Sequence, residues 1–274
     1  PSDGENVNSL SAKGLERLKD PDMPGLISVE AEKLIRLGNT RDDFHQLEDC
    51  DWVAEAVVER LDIKQALYRQ LNDVCKGATI ITSNTSTIPI SLLTKGMPKK
   101  FCERFAITHF FNPVRFMRLL ELVRGEFTRD DVINTLDMFS ETMLGKGVVS
   151  CSDTPGFLAN RVGVFAIQCA LYKAFKYKLS PTEADAFFGR PLGLPKTGVF
   201  GLYDLIGIDL MADVVKSLVS ILPENDAFHK YSSPIEFMTA MIANGQTGNK
   251  NEKGFYKQAG DERQVIDLSN GNYN

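Results

Sequence analysis

His109 lies in the run Thr108-His109-Phe110-Phe111-Asn112-Pro113, and Glu121 lies twelve positions further on, inside Leu119-Leu120-Glu121-Leu122-Val123. Both runs are rich in strand-forming residues. Two short strands joined by a turn that contains Pro113 bring the imidazole and the carboxylate together. A histidine that meets a carboxylate gains an oriented ring and a higher proton affinity. That is the arrangement of a general base acting on a hydroxyl group. A core histidine paired for structural reasons leaves the same trace, so the pair alone keeps both readings open.

The elements that must hold this pair follow a regular order. Residues 1–20 begin polar and then turn helical, with Leu10, Leu15 and Leu18 on one face and Lys13 and Arg17 beside them. Asp20 to Gly25 holds two prolines and breaks this helix. Asp51 to Glu59 reads as a buried strand that finishes on an acid. A helix follows, with Leu67, Leu71 and Val74 inward and Lys64, Arg69 and Asp73 outward. Ala78 to Thr82 is the next strand, and it runs into Ser83-Asn84-Thr85-Ser86-Thr87. Open α/β sheets place ligands at such carboxyl ends, although an ordinary polar turn has the same composition. Phe101 to Phe111 and Leu119 to Val123 are strands, Thr128 to Leu144 is an amphipathic helix with an acidic first turn, and Gly147 to Cys151 is one more strand. The order predicts a mostly parallel α/β sheet.

The character changes at Ser152-Asp153-Thr154-Pro155-Gly156. Asp153 or Thr154 can cap a helix, and Pro155 suits its first position. A long helix is expected from there to about Lys178, with Asn160 and Arg161 in its first two turns and Arg161 capping or paired with Asp153. Pro181 to Phe188, Tyr203 to Leu222 and Pro234 to Asn244 also read as helices. The expected domains are therefore residues 1–151 and an all-helical 152–274, with a frayed polar tail from Ala259.

Composition narrows the function classes. With 274 residues the chain is long enough for two domains. A formal net charge of −5 argues against a general nucleic-acid footprint. No apolar run approaches a membrane span, and the polar start, Pro1 to Asn8, shows no signal peptide. Cys50, Cys75, Cys102, Cys151 and Cys169 form no Cys-x-x-Cys pair and read as thiols of a reducing compartment, so a cytoplasmic location is expected. His45, His109 and His229 lack zinc-site spacing, so no metal is expected.

Six blocks then accumulate in order: VVER (Val57 to Arg60), SNTST (Ser83 to Thr87), THFFNP (Thr108 to Pro113), LLELV (Leu119 to Val123), DTPGFLANR (Asp153 to Arg161) and GNKNEKGFY (Gly248 to Tyr256). With these the chain resembles the L-3-hydroxyacyl-CoA dehydrogenases of fatty-acid β-oxidation. The segments NPVRFMRLLEL and RPLGLPKTGVFGLYDLIGIDLM are similar to a multifunctional branch, in which an enoyl-CoA hydratase module follows the dehydrogenase part. The resemblance implies NAD as cofactor, an acyl-CoA substrate, a homodimer through the helical domain and a fused hydratase module in the parent protein. It implies a Rossmann-like domain ahead of the helical one.

One departure is large. The family begins with a strand, a Gly-x-Gly-x-x-Gly turn and a helix that together bind the cofactor pyrophosphate. This sequence has no such fingerprint, and its one Gly-x-Gly, Gly145-Lys146-Gly147, precedes a strand. The expected sheet domain is thus a truncated Rossmann-like one lacking its first βαβ unit, and NAD binding by the chain alone is expected to be weak or nil.

Carried over residue by residue, the resemblance makes His109 the base that takes the proton of the 3-hydroxyl while hydride leaves for the nicotinamide. It makes Glu121 the carboxylate that orients the imidazole. Ser86 and Asn160 are implied at the substrate oxygen, Ser86 also on the nicotinamide side. Asn112, Glu59, Lys64 and Lys250 are implied at the cofactor. Plainer readings stand beside these: a helix-start residue for Asn160, a turn residue for Asn112, and an exposed ion pair for Glu59 and Lys64. Asn251 and Glu252 depart from the family's Thr-Gly after the lysine. The leading expectation is an NAD-dependent oxidation of L-3-hydroxyacyl-CoA to 3-oxoacyl-CoA. The alternative is a catalytically silent acyl-CoA-binding and dimerisation fragment of such an enzyme.

Overall fold

The computed structural model describes residues 7–22, 24–193, 196–260 and 262–274. Residues 1–6 of the polar start, and Leu194 and Pro195 of the RPLGLPK segment, lie outside the described residues. The chain divides into two compact units, Pro1–Phe157 and Leu158–Asn274.

The first unit opens with helix α1 (Ser9–Leu18) and two short 3-10 helices, Val29–Leu34 and Phe44–Asp49. Then come β1 (Trp52–Glu55), α2 (Leu61–Val74), β2 (Ile80–Ser83), α3 (Ile90–Leu93), α4 (Lys99–Cys102), β3 (Phe105–Phe110), β4 (Leu119–Arg124), α5 (Asp130–Thr142) and β5 (Gly147–Cys151). The sheet order is β1-β2-β3-β4-β5. β1, β2 and β3 are parallel, β4 runs antiparallel to β3, and β5 is parallel to β4.

Side chains alternate across these strands, so each face gathers its own set. Ile81, Phe105, Ile107 and Val123 pack under Tyr68 and Leu71 of α2 and Ile90 and Leu93 of α3. Ala106 and Leu122 pack under Val132 and Leu136 of α5 on the other face. Helices on both faces explain why β3 reads as a continuous apolar run.

The structure revises several expectations. β1 stops at Glu55, so the acid that ends the strand is Glu55 and Glu59 lies in the loop beyond it. Lys64 does not face outward: Lys64, Tyr68 and Leu71 form the buried stripe of α2 at helical spacing. The helix expected from Pro155 begins at Ala159, after a turn in which Gly156 has φ +73° and Phe157 φ +48°. Asp153 does not cap that helix. Its carboxylate accepts the N–H groups of Ile90 (2.9 Å) and Ser91 (3.4 Å) at the start of α3.

The second unit holds α6 (Ala159–Lys176), α7 (Pro181–Phe187), α8 (Phe200–Ile206), α9 (Ile208–Ile221) and α10 (Glu236–Ala243). It is helical but not all-helical, because β6 (Tyr256–Ala259) and β7 (Glu262–Val265) form an antiparallel hairpin. The tail is not frayed either. Ile266 is 1% exposed, and Val265 and Asn274 exchange two backbone hydrogen bonds of 3.0 Å. Its core joins Leu171 and Ala174 of α6, Phe200 and Tyr203 of α8, Met211 and Leu218 of α9, and Phe255.

Candidate active site

The antiparallel register of β3 and β4 sets His109 directly opposite Glu121. Their side chains share a face, and His109 Nδ1 stands 2.7 Å from Glu121 Oε2. A carboxylate can only accept, so Nδ1 carries a hydrogen, and in the neutral ring Nε2 then has the lone pair. Both residues are buried, Glu121 completely. Phe111 and Phe157 flank the imidazole, with ring centroids 4.5 Å and 5.8 Å away. The Cys151 thiol, at the end of β5, lies 3.7 Å from Glu121 Oε1 and 3.5 Å from the Val149 carbonyl oxygen, and either can accept its hydrogen.

A second polar group gathers where β1 and β2 end. Glu55 Oε1 accepts from Lys64 Nζ at 2.7 Å and from the Val57 N–H at 2.7 Å. Its Oε2 accepts from the hydroxyls of Tyr68 (2.6 Å) and Ser83 (2.7 Å). Burial, then the Glu55 carboxylate, drive the Tyr68 phenol far above its ordinary range. Lys64 Nζ also lies 3.3 Å from Glu59 Oε2. The other Glu59 oxygen accepts the Thr85 hydroxyl, the Ser86 N–H (3.3 Å) and the Thr87 hydroxyl (3.3 Å). Asn84 links this group to β3, since its Oδ1 accepts the Phe110 N–H at 2.8 Å.

The expected residues thus fall into three sets. His109 joins Glu121, and Glu59 joins Lys64 and Ser86, all at the edge of the sheet where β1, β2 and β3 end. Asn112 is exposed in the stretch after β3, and its peptide bond to Pro113 is cis. Asn160 and Lys250 belong to the second unit. Asn160 is half-buried in the first turn of α6, and its neighbour Arg161 pairs with Asp226 at 2.6 Å rather than with Asp153. Lys250 Nζ contacts both oxygens of Asp209, at 2.7 Å and 2.6 Å. Through that hydrogen bond Lys250 holds the Asp209 carboxyl below its ordinary range.

Sequence reasoning missed Glu55, Tyr68, Ser83 and Cys151. One signal was present: Lys64 sits on the same helical stripe as Tyr68 and Leu71, and a lysine on an apolar stripe demands a buried partner. Among the described residues no group of three His, Cys, Asp or Glu side chains could hold a metal ion. No helix among them is long and apolar enough to cross a membrane.

Residues 5–154 match the NAD binding domain of 3-hydroxyacyl-CoA dehydrogenase, and residues 156–258 match its C-terminal domain. The chain belongs to the 3-hydroxyacyl-CoA dehydrogenase family. It is 38% identical to a protein of Rickettsia prowazekii named as a fatty acid oxidation complex trifunctional enzyme, over 99% of this chain and 38% of that protein. It is 32% identical to the mitochondrial hydroxyacyl-coenzyme A dehydrogenase of Sus scrofa, over 92% of this chain and 81% of the relative. The chain therefore spans little more than a third of the length of the Rickettsia relatives it matches. Among solved structures, (S)-3-hydroxybutyryl-CoA dehydrogenase PaaH1 from Ralstonia eutropha superposes with a TM-score of 0.73 at 30% identity, covering 91% of this chain and 84% of that one. FadB2 of M. tuberculosis gives 0.76 at 29% identity, covering 90% and 84%. The sheet unit is thus the family's Rossmann-like NAD-binding domain, and the helical unit is its C-terminal domain.

Proposed function

We propose that this chain carries the proton-handling part of an enzyme that oxidises L-3-hydroxyacyl-CoA to 3-oxoacyl-CoA with NAD, in fatty-acid β-oxidation. The 2.7 Å contact of His109 Nδ1 with Glu121 Oε2 in a nearly closed setting carries this reading. His109 takes the proton of the 3-hydroxyl at Nε2. Glu121 holds the ring in the tautomer that leaves that lone pair available and steadies the charge the ring acquires. Ser86 offers a hydroxyl that can follow the substrate oxygen from alcohol to ketone, since it donates in both states. The resemblance gives the Asn160 amide the matching role.

The cofactor, when bound, accepts the hydride from the carbon that bore the hydroxyl. The residues at the ends of β1 and β2 suit its nicotinamide ribose. Glu59 keeps 39% of its side chain exposed while Lys64 behind it is closed off, so the carboxylate can accept from sugar hydroxyls. Asn112 extends this set. Lys250 fits least, because Asp209 already holds it. Following the resemblance, we extend the reading to a cytoplasmic parent protein that pairs through its helical unit and carries a hydratase module; a relative named as a trifunctional enzyme is in keeping with a parent of several activities.

A second reading has one observation in its favour. The sequence holds no Gly-x-Gly-x-x-Gly turn, the feature that offers N–H groups to a pyrophosphate. On that reading the chain binds acyl-CoA and is catalytically silent. NADH fluorescence titration, followed by NADH consumption with acetoacetyl-CoA, separates the two. Consumption that disappears in His109→Ala supports the dehydrogenase. Acetoacetyl-CoA binding without NADH binding or turnover supports the silent fragment.

A further inference from the structure

Glu55 has no part in the reaction proposed above, yet it is 3% exposed and accepts four hydrogen bonds from four residues. A buried carboxylate so fully coordinated needs a reason beyond packing, since burying charge is costly unless it is paired. The reason lies in what it holds. Lys64 Nζ stands between two carboxylates, Glu55 at 2.7 Å and Glu59 at 3.3 Å, with the Val57 carbonyl at 3.4 Å. Glu59 in turn gathers Thr85, the Ser86 N–H and Thr87. An unbroken series of charge-assisted contacts runs from the sheet interior to the backbone of Ser86.

We propose that Glu55 is the positioning residue of the nicotinamide side of the site. Its charge anchors the Lys64 ammonium in the interior. The anchored ammonium fixes the Glu59 carboxylate, and Glu59 fixes the loop that presents Ser86. Tyr68 and Ser83 occupy the second Glu55 oxygen, which keeps the carboxylate from rotating away from Lys64. Without the Glu55 charge, Lys64 has a flexible four-carbon stem and one remaining carboxylate, Glu59, nearer the solvent. It moves toward that partner and draws Glu59 off the Thr85–Thr87 loop. The inference rests on the assignment of Glu59 and Lys64 to the cofactor.

The test is Glu55→Gln, which keeps the shape and removes the charge. The first readout needs no cofactor: backbone amide hydrogen exchange at Ser86, compared with Ile81, whose N–H is bonded to the Arg104 carbonyl at 3.0 Å inside the sheet. We expect protection at Ser86 to fall about tenfold, the scale of one charge-assisted hydrogen bond, with Ile81 unchanged. The second readout is NADH titration and turnover. The dissociation constant for NADH should rise about tenfold, and kcat should fall with it, because the loosened loop also carries the Ser86 hydroxyl assigned to the substrate oxygen. If the unmodified protein binds no NADH, the functional reading fails and the exchange result alone decides this one. Unchanged Ser86 protection overturns the proposal, as does an equal loss at Ser86 and Ile81, which means general loosening. Should Glu55→Gln fail to fold, Tyr68→Phe removes one of the four donors and leaves the ion pair in place. It should lower Ser86 protection by about threefold, and no change there overturns the proposal equally.

Discussion

Glu55 in the first unit and Asp204 in the second are buried to nearly the same degree, 3% and 2% exposed, and they answer burial in different ways. Glu55 meets an ammonium, two hydroxyls and one N–H. Asp204 meets only backbone: its two oxygens accept the N–H groups of Phe255 and Tyr256, each at 2.8 Å. Burial pushes its carboxyl up to about 6. The two N–H groups and the charge of Arg263 pull it down, and the charge of Asp185 adds to the rise. Asp204 thus acts as a clamp on the chain. Asp185 does the same for the start of α8, accepting from Phe200 (2.7 Å) and Gly201 (3.0 Å), and it takes the Tyr256 hydroxyl at 2.7 Å. Glu121 and Glu55 of the first unit instead hold other side chains, and atoms beyond them are left to act: Nε2 of His109 and the half-exposed carboxylate of Glu59. At these carboxylates chemistry and clamping are thus separated by what each accepts from, and the division is by partner rather than by unit: Asp153 of the first unit clamps the start of α3, and Asp209 of the second pairs with Lys250.

The largest separation between the two regions is expected at His109. Replacing it with Gln should lower turnover by about 10²- to 10⁴-fold, the usual range for a positioned base. The thermal transition should hardly move, because the amide can still donate to Glu121. Steady-state kinetics beside a melting curve checks both parts. Turnover that survives would mean that the His109–Glu121 pair is a clamp after all.

The next effect belongs to the second unit. A Cβ on Gly254 would stand 2.0 Å from Asp204 Oδ1, and one on Gly248, where φ is +106°, would stand 2.4 Å from the Asp204 carbonyl oxygen. The glycines of GNKNEKGFY thus let the loop close onto Asp204. Gly254→Ala should cost about 3 kcal/mol or more, at the upper end of what overpacking does, read as a lowered denaturation midpoint. A variant that melts like the parent would break the clamp description.

Asp204→Asn sharpens the same contrast through pH. Folding moves this carboxyl from 3.8 to about 6, so its protonated form is favoured in the native state. The associated stability is complete below about pH 4 and is lost as pH rises through about 6, a swing of about 3 kcal/mol. Asparagine cannot ionise, and its NH2 leaves one of the two backbone donors without an acceptor. The variant should therefore be least stable relative to the parent near pH 4, and the gap should narrow as pH approaches 7. Chemical denaturation at several pH values checks this. A gap that stays constant would show that Asp204 does not titrate in this window.

Much of this was legible in the sequence, for identifiable reasons. Strand and helix order followed from periodicity, and the pairing of His109 with Glu121 followed from two apolar runs joined by a short turn. The burial of Lys64 was signalled only by its place on the stripe of Tyr68 and Leu71, and its partner was not legible, because Glu55 sits in a strand with nothing to mark it. The start of α6 was misplaced for a related reason. Asp153-Thr154-Pro155 has the composition of a cap, but its carboxylate serves α3, sixty-odd residues earlier, a contact that local pattern cannot show. The ordered tail was missed because its few apolar residues, Val265, Ile266, Leu268 and Tyr273, are scattered among polar ones and find the unit's core only in the folded chain, where the Ile266 N–H donates to the Phe255 carbonyl at 2.9 Å.

Cys151 provides the smallest and most discriminating test. Its thiol is a weak donor, and 3.7 Å from Glu121 Oε1 it contributes little energy. Yet it touches the carboxylate that orients the base, and it does so from β5, on the side of Glu121 away from β3. If the first unit positions its acids through side-chain partners, Cys151→Ala should lower kcat by about twofold to threefold, less than one neutral hydrogen bond is worth. Cys151→Ser, which restores a stronger and shorter donor, should recover it. KM for acyl-CoA should stay unchanged in both. Equal losses in the alanine and serine variants would point instead to packing around β5, and the thiol would then have no part in holding Glu121.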